Sequence, residues 1–308
     1  MSFNSDNLII FLTVLDKGSF SAAARSLQRV PSAVSMAIAN LEAELGFELF
    51  DRHSREPKPT EKALSLAPYA RHIIENLSQL NTFSRELTQG VESTLAIGVA
   101  AGINSNILFD ALRVLSQRYP LLHIELVTAP QDDLLPLLHK KQLQLAIVFG
   151  GIHVNSQEQF HYIGEESIIA TISTKHPSLQ ERTSLYIEDL VESRQIIIGS
   201  RQHELSDMRI VVSSNYWKTD SFSLALGLVE GGMGWGNFPL SLIKDKLATG
   251  TLKPLQFKNT PNGLKLPIHV VSLKSHALKR GAQECIELLK KHILHKNFHD
   301  PFWLISLN

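Results

Sequence analysis

Up to Gly90 the chain repeats its apolar residues at helical spacing, whereas beyond it short apolar runs such as Leu95-Ala96-Ile97-Gly98-Val99 alternate with helical patterns. A helix buries one stripe and a strand of this kind buries both faces, so one packed layer does not accommodate both patterns. The chain therefore divides into a mainly helical N-terminal part and a larger α/β part. Its 308 residues are also too many for one small domain and suggest two or three.

In the N-terminal part, Leu8, Phe11, Leu12 and Leu15 share one face of a predicted helix over residues 5–16, and Lys17-Gly18 stops it. Ser21 is a good N-cap for a second, alanine-rich helix from Ala22 to Leu27. Gln28-Arg29-Val30 forms a short turn, and Pro31 suits the first position of a third helix, where its missing N–H is no loss. That helix runs to about Leu45 and ends at Gly46. Val34, Ile38, Leu41 and Leu45 form its core-facing stripe. Ser32, Met36, Ala39, Asn40 and Ala43 then point outward, with Ala33 and Ser35 on the flanks. The outward surface near the helix start is small and almost uncharged. Phe47 to Phe50 and Lys58 to Thr60 follow as two short strands around a turn, a β-wing.

Thr60-Glu61-Lys62-Ala63 opens a long helix reaching about Thr88. On it Leu66, Ala70, Ile73, Leu77, Leu80, Ser84 and Leu87 recur at alternating spacings of four and three, a heptad seam of about three heptads. The seam fits a dimer-forming helix; an amphipathic helix lying on its own domain would show a similar stripe.

After Gly90, predicted strands Leu95–Val99, His123–Val127 and Leu145–Phe149 alternate with helices Ile107–Tyr119 and Leu134–Gln142, which argues a mostly parallel sheet. A second set follows, with strands at Ser167–Ser173, Leu185–Leu190, Arg194–Ile198 and Arg209–Val212 and a helix Phe222–Glu230. Pro267–Ser272 and a helix Leu278–His295 close the chain. There is no internal repeat and no low-complexity tract.

Residues 8–61 resemble the winged helix-turn-helix of LysR-type transcriptional regulators. The matching residues are Phe11, Gly18-Ser19-Phe20, Ala22-Ala23-Ala24, Leu27, Ser32-Ala33-Val34-Ser35, Ile38, Leu41-Glu42, Leu45-Gly46, Leu49-Phe50-Asp51-Arg52 and Thr60-Glu61. More weakly, Leu95–Val99, Arg118-Tyr119-Pro120, Leu143–Val148, and Gly231 to Gly234 with Pro239 resemble that family's effector-binding domain. The resemblance implies an N-terminal α-helical winged helix-turn-helix, a long linker helix, and a C-terminal α/β two-lobed domain like the periplasmic binding proteins. The expected boundaries are 1–60, 61–90 and 91–308, with lobe I formed by 91–163 and 267–308 and lobe II by 164–266.

Two departures stand out. Most relatives carry Gln at the position of Pro31 and Arg at that of Met36, side chains that hydrogen-bond base edges in the major groove. Neither residue here does so. The candidate DNA contacts are Ser21, Arg29, Pro31, Ser32, Ala33, Ser35 and Met36 on the helix-turn-helix, and Arg52, His53, Arg55 and Lys58 on the wing. Ser32 and Ser35 are equally at home as solvated helix residues. Met36 suits a thymine methyl or ordinary packing. Arg29 suits a base or a phosphate, and Arg52 a phosphate or a salt bridge that locks the wing.

For the effector, the resemblance implies a cleft between the two lobes, near strand ends and helix N-termini. The candidates are Ala100, Ala101, Gly102, Asn104, Thr128 and Phe149 from lobe I, and Ser200, Arg201, Trp217, Asp220 and Trp235 from lobe II. Asn104, Ser105 and Asp220-Ser221 are placed to cap helices. Asp220 fits a structural cap better than a ligand contact. The two tryptophans fit stacking or core packing equally well.

Composition sets the remaining limits. The chain is 44% hydrophobic and 19% charged, and its 30 basic residues balance 30 acidic ones. A nucleic-acid footprint must therefore be local, and Arg52 to Lys58 supplies a basic stretch. A lone cysteine, Cys285, excludes an intramolecular disulfide. No apolar run approaches the ~18 residues that span a bilayer, and no signal peptide is expected, which together point to the cytoplasm. Phosphate-loop and metal-ligand spacings are absent, so no cofactor, metal or catalytic group is expected. The expected partners are double-stranded promoter or operator DNA, a small-molecule effector, and further copies of the chain in a homodimer or homotetramer. The alternative is a ligand-binding or enzymatic α/β protein whose head serves only to assemble oligomers.

Overall fold

A computed structural model describes residues 4–51, 58–150, 155–177, 184–205 and 207–299, the last eight of these as helix backbone. The chain divides between Glu86 and Leu87 into two compact units.

The first unit opens with helix α1, Ser5–Lys17, capped by the Asn4 side chain and closed by Gly18 at φ 71°. Helix α2, Phe20–Ser26, starts two residues earlier than its sequence suggests. Ser19, not Ser21, is its N-cap and accepts the Ala22 N–H at 3.1 Å. The early start draws Phe20 into the helix, where its ring meets Phe50 edge-on at 5.6 Å. Ser21 is thereby an exposed residue of the first turn. Gln28 turns the chain at φ 54°. Helix α3, Pro31–Leu45, then begins with its proline at the first position and ends at Gly46, φ 74°. Val34, Ile38 and Leu41 are fully buried, and Leu45 is half-buried.

Strands β1, Phe50–Asp51, and β2, Lys58–Pro59, pair antiparallel as the base of a wing. The Glu42 carboxylate on α3 accepts the N–H groups of Leu49 and Phe50, at 2.8 and 3.1 Å, and so ties the wing to the third helix. Thr60 caps helix α4, Glu61–Thr88, through the Ala63 N–H. Its first turns bury Ala63, Ala67 and Ala70 in the core around Phe11 and Phe50. Further along, Ile73, Leu77 and Leu80 are 45%, 37% and 60% exposed. The seam is present, and within this chain it carries no full cover.

The second unit is built on one mixed sheet. Its strands are β3 Thr94–Ala100, β4 His123–Ala129, β5 Leu145–Phe149, β6 Glu158–Ser173, β7 Gln195–Ile198, β8 Tyr216–Thr219, β9 Trp235–Pro239, β10 Leu252–Pro254 and β11 Leu264–Leu273. Their order is β4-β3-β5-β11-β6-β9-β7-β8, with β10 also on β6. The flanks, β4-β3-β5 and β9-β7-β8, are parallel, as alternating strands and helices require. The centre is antiparallel, which corrects the expectation of a mostly parallel sheet. Here β6 and β11 run side by side for ten residues each and carry the chain from one flank to the other and back. At the crossing, Gly164 adopts φ 144° and the register shifts between Ile268 and His269.

Helices α5 Asn106–Arg118, α6 Gln131–His139 and α9 Arg280–His299 belong to the first flank, and α7 Phe222–Glu230 and α8 Leu240–Ala248 to the second. Each flank has its own core, one around Leu95, Ile97 and Leu115 and the other around Ile196, Val229 and Phe238. The unit is thus two-lobed. Two predicted strands are instead short 3-10 turns, Ile187–Leu190 and Met208–Ile210, and the outer strand is β8. Strands β9 and β10 and helix α8 went unpredicted.

Candidate functional site

The exposed N-terminal face of α3 is small and uncharged. No side chain caps this helix. Pro31, Ser32 and Ala33 are exposed, Ser35 is half-buried, and Met36 is 64% exposed beside Val30 at 63%. Pro31 lacks an N–H, and those of Ala33 and Val34 donate to the Val30 carbonyl at 3.0 and 3.4 Å, so the attraction of this helix start for a phosphate rests on its dipole. Arg29, just before the helix, is already engaged. Its guanidinium donates to both carboxylate oxygens of Asp6 at 2.7 Å, and this hydrogen bonding holds it above its ordinary pKa. Sequence spacing did not reveal this pair, because Asp6 lies one helix away. Lys58 is exposed on β2. Arg52, His53 and Arg55 lie outside the described residues.

In the second unit a cleft opens where the C-terminal ends of the parallel strands of both lobes face each other. It encloses about 890 Å³, its open mouth included. Ala100, Ala101 and Gly102 follow β3, Phe149 ends β5, and all four line it, together with Pro130 and Gln131 at the start of α6. The other wall is Gln195, Ile196 and Ile198 of β7, Leu205, Asp207 and Ile210 of the loop beyond it, and Asn237 and Pro239 of β9. Gly102, at φ 97°, lets the chain turn where a Cβ would lie 3.4 Å from the Pro239 ring.

The lining is mostly apolar. Among the described residues it holds no Lys, Arg or His, and its fixed charges are the carboxylates of Asp132 and Asp207. Arg209 grips Asp207 and holds its carboxyl below the usual range, chiefly by side-chain hydrogen bonding, against the opposing effect of burial. Gln195 is spent on structure: its Nε2 donates to the Ile210 carbonyl at 2.6 Å and its Oε1 accepts from Val212 and Ser213. The Gln131 Oε1 is buried without a hydrogen-bond partner. An unmatched buried acceptor costs about 1–3 kcal/mol, so a donor brought there would be rewarded.

The remaining expected contacts fall elsewhere. Thr128 and Asp220 border a wider opening that shares Ala101 and Gly102 with the cleft. Asp220 is not the cap of α7, which is Ser221; it holds Arg201 at 2.9 Å. Asn104 accepts the Asn106 N–H at the start of α5. Trp217 lies exposed on the outer strand with Arg194 stacked 4.1 Å above its ring. Trp235 is a core residue, 1% exposed, whose indole N–H donates to the Ser193 carbonyl.

Ser200 is fully buried and accepts the N–H groups of Gln202 and His203, while its hydroxyl donates to Asp133 of α6. His203 Nδ1 also meets that carboxylate at 2.9 Å. This Ser-His-Asp group is a tie between lobes. Its serine oxygen, loaded with two backbone donors and turned to Asp133, is not aimed at the cleft as a nucleophile. Among the described residues the cleft lining contains no Ser, Cys, His, Lys or Tyr, and no group of ligands that would hold a metal ion occurs.

Comparisons with known proteins agree with both halves. The family described as "Bacterial regulatory helix-turn-helix protein, lysR family" matches residues 5–64, and "LysR substrate binding domain" matches residues 88–294. The chain is 37% identical over 245 residues to the HTH-type transcriptional regulator AceR of Acinetobacter baumannii, covering 80% of this chain and 82% of that one. It is 29% identical over 268 residues to the multiple virulence factor regulator MvfR of Pseudomonas aeruginosa, covering 86% and 80%. Among solved structures it shares the fold of CbnR, a LysR family transcriptional regulator, at a TM-score of 0.54 and 18% identity over 93% of this chain and all of that one. Full-length BenM gives 0.52 and 21% over 98% of this chain and all of that one. A head, a long helix and a two-lobed α/β unit in this order, matched by profile and by a relative of this similarity, make the chain a member of the LysR family of transcriptional regulators.

Proposed function

We propose that this regulator binds operator DNA as a homodimer or a tetramer built from such dimers, and that a small molecule in the interlobe cleft controls it. The cleft carries this reading, because its walls come from both lobes and any occupant must bias their relative position. Helix α3 enters the major groove with Pro31, Ser32, Ala33, Ser35 and Met36. Because that face has no charge, affinity comes mainly from phosphate contacts by the helix start and the wing residues Arg52, His53, Arg55 and Lys58, with Arg29 assisting to the extent that it leaves Asp6. Specificity leans on apolar contacts and on DNA shape. The uncovered Ile73, Leu77 and Leu80 of α4 support pairing through the linker over 61–90, between a head ending at residue 60 and the effector unit. Among the described residues no single helix is long and apolar enough to cross a membrane, in keeping with work on DNA in the cytoplasm.

The test is binding to fluorescently labelled DNA from upstream of its own locus, read by anisotropy across a salt series. Salt-sensitive binding to one segment is expected. Equal binding to every segment, or none to any, would overturn the reading.

A further inference from the structure

A second pocket, about 570 Å³ with its open mouth included, lies in lobe II directly behind the cleft. The two are neighbours through a wall one residue thick, since Ile168, Ile210 and Asn237 border both. Ile187, Leu190, Val212, Trp235 and Phe257 form the apolar part of the far chamber, and Arg209, Asn237, Thr260 and Asn262 give it a polar part.

The wall is built to hold its backbone and leave its side chain adjustable. The Ile210 carbonyl accepts two hydrogen bonds, from Gln195 Nε2 at 2.6 Å and from Asn237 Nδ2 at 2.9 Å. The Ile210 side chain is only half-buried and sits at the end of a three-residue 3-10 turn. A change of rotamer at this one residue therefore changes the connection between the chambers without breaking the anchors. Asp207 faces the cleft and Arg209 the far chamber, so the ion pair between them straddles the wall and cancels its own charge.

We infer that the cleft and the chamber behind Ile210 form one two-chambered effector site, which accepts an elongated, uncharged, amphipathic molecule. The inference rests on the cleft being the effector site and names what it takes. A carboxylate ligand would find no cation in the cleft lining among the described residues, and Arg209 of the far chamber is already paired with Asp207, so the site offers an anion no partner. The apolar end passes Ile210, and a polar end remains with Gln131 and the cleft mouth.

The test uses the full-length protein and a neutral fluorophore, N-phenyl-1-naphthylamine, displaced by 1-alkanols from hexanol to dodecanol. With both chambers in use, the displacing concentration falls by about fourfold per added methylene through dodecanol. Two variants fill the far chamber, Val212→Phe and, at its more open rim, Thr260→Trp. In each the series levels off by octanol while hexanol is unchanged. Decanol also displaces the probe at least tenfold more readily than decanoate. A wild-type series that levels off at octanol, variant series that run on to dodecanol, or parity between decanol and decanoate would overturn the inference and leave the cleft standing. Failure of the probe to bind, or displacement indifferent to Ala101→Trp in the cleft, would overturn the cleft itself.

Discussion

Replacing Asp6 by Asn releases Arg29 at the foot of the third helix, and the consequence is measurable on DNA. Arg29 and Asp6 are 40% and 46% exposed at the side chain, and two 2.7 Å hydrogen bonds make the guanidinium a neutralised group beside the exposed start of α3. The Asn4 cap of α1 uses the backbone N–H of residue 6 and survives the substitution. A freed guanidinium that reaches one phosphate releases about one counterion and steepens the slope of log affinity against log salt by about 0.9. Over a fourfold salt range, 50 to 200 mM, that slope makes the variant lose about 3.5-fold more affinity than the parent. The variant should also bind more tightly than the parent at the low-salt end. Fluorescence anisotropy on one operator fragment at five salt concentrations resolves this difference. An unchanged slope would show that Arg29 does not reach the backbone. A looser complex with an unchanged slope would show that the ion pair instead orients the turn between α2 and α3.

Three further outcomes are expected. Leu77→Asp, in the exposed stripe of α4, should shift the protein to monomer mass in size-exclusion chromatography with light scattering; an unchanged dimer mass would move the interface elsewhere. Burial holds His161, His176 and His269 below the ordinary 6.5, with the Lys290 charge adding to the effect at His161, so each ring is neutral in the fold. The unfolded chain then binds more protons, and the melting temperature should hold above about pH 6.5 and fall as the pH drops through the lower folded values; a flat profile from pH 7 to 5 would refute it. The Cys285 thiol, pushed up to about 12 by burial and by the neighbouring Glu92 charge, should ignore Ellman's reagent at pH 8 until the protein unfolds; rapid native labelling would contradict its packing.

Local signals made much of the head legible. Gly18 and Gly46 both end helices in the left-handed region, and Pro31 starts one. The choice between Ser19 and Ser21 as cap was not local. Both are good cap residues, and the packing of Phe20 on Phe50 decided it. Strand β9 escaped notice because its glycines resemble a turn. In the fold they serve close approach, since a Cβ at Gly234 would lie 2.6 Å from the Arg194 carbonyl and one at Gly236 would lie 2.8 Å from the Phe238 ring. The same holds for the cleft. Ala100, Ala101, Gly102 and Phe149 sit at strand ends that periodicity reveals. Gln195, Ile210 and Asn237 come together only through the register of β7 with β9 and the path of an irregular loop. Aromatic content misled in the other direction: Trp235 filled the core and Trp217 found a guanidinium.

The tie among Asp133, Ser200 and His203 sets a dose. Wherever entry to the cleft requires these side chains to part, the fraction of molecules in which they have parted divides into the apparent affinity. With one molecule in about ten open, the regulator answers at roughly tenfold higher concentration than the walls of the cleft alone would dictate. Three residues outside the cleft lining would thereby tune the sensitivity of the response without altering what the lining recognises. Substitutions among them offer a way to shift the threshold of a sensor while leaving its chemical preference intact.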